Sequence, residues 1–275
     1  ISIKGTTNYL DNVTASALPD NKTFVFDPDD LLGSPSEEVW YIVNLTKDIH
    51  KANNQSALPF GYAWDFQVST LLDNTPPQVT RVRPLDGTIN PRNIIIQINF
   101  SEAIDPFSIN NITVLADGNS VSGTFTISNQ YKTLEFTPSQ DCGLNSCGTT
   151  IYCLPADADI TVTLTAATLS ADPPQATFPY DGVVDMVGNS LDGDKDAVGE
   201  GSPTDDYSWQ FSTDNTIDAT PPAILGIEPE ALAQGVRLNV PVKILFDSPM
   251  LYRTLNSKNI RLAGGVNYWV SAEDG

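Results

Sequence analysis

Asp73-Asn-Thr-Pro-Pro77 returns as Asp218-Ala-Thr-Pro-Pro222. Each is followed by a short apolar run and a lone proline, Pro84 or Pro229. An alternating stretch comes next, Ile94-Ile-Ile-Gln-Ile-Asn-Phe100 or Val240-Pro-Val-Lys-Ile-Leu-Phe246. Alternation of this kind puts one row of side chains on each face of a strand. Each stretch ends in a matching turn, Ser101-Glu-Ala-Ile-Asp-Pro106 or Asp247-Ser-Pro-Met250. A repeat at this scale means an array of similar domains.

Two further pairs extend the repeat. Trp64-Asp-Phe-Gln-Val-Ser69 precedes the first Thr-Pro-Pro, and Trp209-Gln-Phe-Ser-Thr213 precedes the second. Lys22-Thr-Phe-Val-Phe-Asp-Pro28 matches Lys132-Thr-Leu-Glu-Phe-Thr-Pro138. These signals divide the chain into three units. Residues 1–72 lack the opening strands of a unit. Residues 73–215 are complete, with insertions at 141–155 and 171–206. Residues 216–275 lack the closing strands. The fold class expected is all-β, in tandem antiparallel sandwiches with the terminal ones partial. In the complete unit Ile94, Ile96, Ile98 and Phe100 should face inward. No long apolar pattern of period 3.6 is present, so helix is expected only as single turns near Asp105–Asn110 and Pro249–Asn256.

The motifs Pro84-Leu-Asp-Gly87, Phe100-Ser-Glu-Ala-Ile-Asp-Pro106, Asp185-Met-Val-Gly-Asn189 and Trp209 to Thr213 resemble the bacterial Ig-like domains of S-layer and other cell-surface proteins. The resemblance implies a β-sandwich in an extracellular, cell-surface setting, with neighbouring Ig-like domains as its partners. It implies no chemistry, because this fold functions through what is grafted on it.

Charge narrows the partners. The 275 residues carry 34 acids against 14 bases, a net charge of −20. Nucleic acid is excluded as a partner, because its binding depends on Lys and Arg neutralising phosphates. No apolar run reaches the ~20 residues of a membrane span. Catalysis has little support. The single histidine, His50, has no nucleophile motif beside it, and a Ser-His-Asp or Cys-His arrangement needs one. The chain therefore reads as no enzyme.

The insertions carry the unusual residues. Three cysteines, Cys142, Cys147 and Cys153, lie in one loop and none elsewhere. A structural zinc site wants four Cys or His ligands, so a disulfide of an oxidising compartment is the better reading. Three pairings are open. The tight turn at Gly143 and Asn145-Ser146 favours Cys142–Cys147, with Cys153 as the alternative partner. The second insertion holds Asp181, Asp185, Asp192, Asp194, Asp196, Glu200, Asp205 and Asp206. Asp192-Gly-Asp194-Lys-Asp196 has spacing that turns successive carboxylates towards one cation, and Ca2+ takes such oxygen ligands. The expected set is Asp192, Asp194 and Asp196, joined by Asp185, Glu200 and Asp206. The EF-hand match is partial: Ala197 stands at position six and Pro203 at position twelve. A solvated acidic loop is the other reading.

Trp64, Trp209 and Trp40 read as core, with a sugar-stacking platform as the minority alternative; Trp269 cannot be placed. Sequons occur at Asn12, Asn21, Asn44, Asn54 and Asn111. The function expected is structural or adhesive: a spacer, stalk or surface-layer component of an exported modular protein. The alternative is an accessory carbohydrate-binding or spacer module of an extracellular polysaccharide-active enzyme. Surface glycans are then candidate partners. So are like chains joined head to tail, since the fragments at the two ends are complementary.

Overall fold

The computed structural model describes residues 1–5, 9–10, 13–17, 24–28, 31–51, 58–170, 174–256 and 258–261. It contains two compact units, 1–74 and 75–275. Within the described residues all regular structure is strand, apart from single 3-10 turns at Ser108–Asn111 and Tyr252–Thr254. Both turns fall where single helical turns are expected.

The first unit holds β1 (Ser2–Ile3), β2 (Val13–Ala17), β3 (Phe24–Pro28), β4 (Val39–Leu45) and β5 (Tyr62–Val68). Strands β1, β4 and β5 form one sheet in that order, and β2 and β3 form a hairpin. In the β4–β5 ladder Tyr41 opposes Phe66. Their rings stack at 5.7 Å, and the Tyr41 hydroxyl accepts the Gly33 N–H at 2.9 Å. Tyr41 is buried.

The second unit begins with β6 (Val79–Arg83), β7 (Ile89–Asn90) and β8 (Ile96–Phe100). It continues through β9 (Ile112–Ala116), β10 (Asn119–Ser120), β11 (Gly123–Ser128) and β12 (Thr133–Pro138). The cysteine loop forms β13 (Asp141–Leu144) and β14 (Thr150–Tyr152), followed by β15 (Asp159–Leu164), β16 (Leu169–Ser170), β17 (Gln175–Ala176) and β18 (Tyr207–Thr213). Strands β19 (Ile224–Glu228) and β20 (Lys243–Phe246) come last. One sheet runs β10-β9-β15-β18-β7 and the other β11-β12-β8-β6. All pairings are antiparallel except β18–β7. This is the expected Ig-like sandwich.

The alternation in the sequence explains its core. Ile96, Ile98 and Phe100 of β8 meet Ile160, Val162 and Leu164 of β15 and Trp209 and Phe211 of β18 in one buried cluster. Ile94 lies just before β8 and packs against that cluster at its rim. Burying each such side chain contributes roughly 1.5–3 kcal/mol. The Trp209 indole N–H also donates to the Pro84 carbonyl at 3.1 Å, so its polar edge is satisfied inside the core.

The β19–β20 ladder copies that of β6–β8. Val79 opposes Phe100 and Arg81 opposes Asn99, with a bulge between them. Ile224 opposes Phe246 and Gly226 opposes Leu245, again with a bulge between them. The prolines after the two first strands, Pro84 and Pro229, both follow cis peptide bonds.

One strand is buried on both faces. In β12, Leu134 and Phe136 face the core, while Thr133 and Glu135 are buried on the other side. The cover is the turn at Tyr252. Its N–H donates to Glu135 at 2.6 Å, and its hydroxyl donates to Asn129 Oδ1 at 2.8 Å. Gln97 Nε2 donates to the same Glu135 at 3.1 Å.

The tryptophans divide. Trp209 is core, as expected. Trp64 and Trp40 are exposed, at 42% and 45%, which corrects the expectation for both. The described strands of the first unit make a three-stranded sheet and a hairpin, fewer than the nine strands that enclose Trp209 in the second. Trp269 lies outside the described residues, as do Lys22 and the sequons at Asn12, Asn21 and Asn54.

Candidate functional site

The disulfide joins Cys142 to Cys153, not to Cys147, with Cα atoms 6.0 Å apart. The cause is hairpin register. Asp141 pairs with Tyr152 across β13–β14, which brings the flanking Cys142 and Cys153 together. Cys147 sits at the tip, where Asn145 Oδ1 accepts the N–H groups of Cys147 and Thr149 at 3.0 and 2.9 Å. It is exposed and unpaired. Cys153 is buried, as a small apolar residue would be, but as one half of the bridge. One reactive thiol per folded chain is therefore expected in a thiol titration, and Cys147→Ser should abolish it. Cys142→Ser should raise the count to two and cost about 3 kcal/mol, from the chain entropy of a loop this short. A peptide map linking Cys142 to Cys147 would contradict this pairing.

The acidic insertion packs as two small clusters sharing one residue. A carboxylate oxygen from each of Asp192, Asp194 and Asp205 lies within 4.8 Å of the other two. Asp194, Asp196 and Glu200 meet the same criterion, and all three are exposed. Asp192 and Asp205 are fully buried. Asp192 shapes the turn: its carboxylate accepts the N–H of Lys195 at 2.6 Å and of Ala197 at 2.9 Å. It also accepts Gln78 Nε2 at 2.7 Å, and its own N–H donates to the Pro77 carbonyl at 2.9 Å. The loop is thereby fastened to the opening residues of its own unit. Gly193 permits the close fit, because a Cβ there would lie 2.1 Å from the Asp205 carbonyl oxygen.

Asp205 closes the first cluster. Its Oδ2 accepts the N–H groups of Glu200 at 2.5 Å and Gly201 at 2.9 Å. Its Oδ1 is buried and accepts no hydrogen bond. Burial pushes its carboxyl up; the charges of Asp192 and Asp194 add to this, while the two N–H donors oppose it. The Glu200 carboxyl is also raised, by desolvation and then by Asp196 and the other neighbouring acids.

Asp185, Asp206 and Asp181 are not part of either cluster. Asp185 is buried, and its Oδ1 accepts the N–H of Val187 at 2.9 Å and of Asn189 at 2.8 Å. A carboxylate oxygen of Glu102 lies within 4.8 Å of one of its own. Asp206 accepts the Ala166 N–H at 2.9 Å, and Asp181 accepts that of Thr168 at 2.8 Å, which holds its carboxyl below the usual range. Asp205 stands in the sequence among the acids but outside the D-x-D-x-D run, so spacing alone does not place it beside Asp192 and Asp194. The one local signal was Asp205-Asp206 just before the alternating strand.

A concavity of about 420 Å3 lies beside β9 and β10. Asp117 is its one titratable lining residue, since Cys153 is bridged. A glycosidase needs two carboxyl groups flanking the bond, which this hollow does not offer. Among the described residues no helix is long and apolar enough to cross a membrane.

Residues 73–167 match the family model described as the bacterial Ig-like domain. No curated protein matches the chain. The matched segment ends before the acidic loop and before β18. Domains of this family are structural modules and generally non-catalytic. With two facing sheets built around that segment, residues 73–167 form a sandwich similar to the bacterial Ig-like domains.

Proposed function

We propose that this chain is a non-catalytic segment of an exported surface protein, in which Ig-like sandwiches follow one another as a spacer, stalk or surface-layer component. The observation that carries this reading is the duplicated ladder. The β19–β20 pairing repeats the register and the bulge of β6–β8, so a second opening hairpin follows the finished sandwich. Repeated domains in series set a distance and bear load; they need no cleft. The acidic surface supports the same reading, since a net charge of −20 keeps such a chain soluble and extended from its neighbours.

Pulling single molecules tests this. The complete sandwich should unfold as one event, releasing roughly 3.5 Å per residue freed. Reduction of the Cys142–Cys153 bridge, which spans 11 residues with its Cα atoms 6.0 Å apart, should lengthen that event by about 30 Å on the same scale. Gradual extension without a discrete event would oppose a load-bearing role. A glycan array should show no retention. Selective capture of one polysaccharide would favour the accessory module of a polysaccharide-active enzyme instead.

A further inference from the structure

The acidic run does not close on itself; it closes on Asp205, which comes after the turn at Gly201. Three carboxylates converge there, two of them fully buried. Among the described residues no lysine, arginine or histidine forms a salt bridge with any of the three. The buried Oδ1 of Asp205 accepts no hydrogen bond from the protein. A buried carboxylate oxygen left in that state is costly, and it belongs to the side chain that completes the cluster. The backbone holds this arrangement without the help of a cation-bearing side chain: N–H groups of Lys195, Ala197, Glu200 and Gly201 fix the Asp192 and Asp205 carboxylates.

We propose that Asp192, Asp194 and Asp205 bind one Ca2+ ion, which fastens the 192–205 loop onto Pro77 and Gln78. Oxygens sharing a Ca2+ ion at about 2.4 Å lie at most about 4.8 Å apart, and the oxygens of this cluster meet that bound. The donors are all oxygen, which suits a hard cation and not zinc. Three carboxylates on an irregular turn suit Ca2+ better than Mg2+, which demands near-octahedral geometry and keeps its waters. Exposed Asp194 leaves room for water to complete the shell. The Asp194, Asp196 and Glu200 cluster has no buried orphan oxygen and carries no such assignment. Cation binding links to the start of the unit through Gln78 Nε2 and the Pro77 carbonyl, both held by Asp192.

The test uses the full chain stripped of metal. Calorimetric titration with CaCl2 should show one site, and 5 mM CaCl2, about the range of weak extracellular sites, should raise the melting temperature above that in EDTA. Tb3+ should displace Ca2+ and luminesce on excitation of Tyr207, two residues from Asp205. Trypsin should cleave at exposed Lys195 at least tenfold more slowly with Ca2+. Asp205→Asn should weaken binding at least tenfold, whereas Asp196→Asn should change it less than threefold. If Asp205→Asn fails to fold, Asp194→Asn, an exposed change, must lose binding by the same factor. Identical melts with EDTA and CaCl2 would overturn the proposal. So would Asp205→Asn or Asp194→Asn binding like the parent, or MgCl2 binding as tightly as CaCl2.

Discussion

Trp209→Ala is expected to destabilise the second unit by about 3–5 kcal/mol, the usual range for a large aromatic removed from a packed core. Trp209 is 4% exposed and packs between the two sheets. Its loss also strips the Pro84 carbonyl of its donor, which adds to the cavity. Small domains have only about 5–15 kcal/mol in hand, so much of the unit's stability goes with this one side chain. Urea denaturation followed by circular dichroism gives the number. Trp64→Ala is the matched control, because the same Trp-x-Phe motif sits there at 42% exposure. It should cost about 1 kcal/mol or less, as surface substitutions do. Equal losses at the two positions would mean that the motif, and not its burial, sets the energetics.

Glu135→Ala should have the second largest effect, about 2–4 kcal/mol. Glu135 is fully buried on the outer face of β12. It accepts Gln97 Nε2 and the N–H of Tyr252, with the N–H of Arg253 at 3.4 Å as a weaker third. Truncation leaves these donors buried without an acceptor, and each such group costs about 1–3 kcal/mol. The 3-10 turn at Tyr252–Thr254 should then lift from the sheet. Hydrogen exchange at the Tyr252 amide reads this directly, with protection expected to fall at least tenfold. Tyr252→Phe removes the hydroxyl bond to Asn129 and should cost about 1 kcal/mol. Unchanged protection at Tyr252 in Glu135→Ala would show that apolar contact alone holds the turn.

Both effects concern side chains whose importance differs in how visible it is from sequence. Trp209 alternates with Phe211 in a short strand, so its inward placement follows from the period of two. Glu135 has the same period, in Thr133-Leu-Glu-Phe-Thr-Pro138, and reads as an outward, solvated acid. It is buried because a turn 117 residues later covers it. Alternation tells which side of a sheet a residue takes. It does not tell what lies on that side. Trp64 makes the same point in reverse: its strand position was legible, its exposure was not.

The sequence by itself determined the strands, their facing, the duplicated opening hairpin and the likeness of residues 73–167 to the bacterial Ig-like domains, because backbone period and turn chemistry are local properties of a few consecutive residues. The tertiary structure alone decided the rest. It paired Cys142 with Cys153 through the register of β13–β14, a choice that loop length left open among three. It brought Asp205 to Asp192 and Asp194 by folding the chain back at Gly201, and it sent Asp185 and Asp206 to backbone N–H groups elsewhere. It buried Glu135 and exposed Trp64. Each of these depends on which distant segment packs against a given face, and burial, pairing and convergence of charge are properties of that packing and not of spacing along the chain.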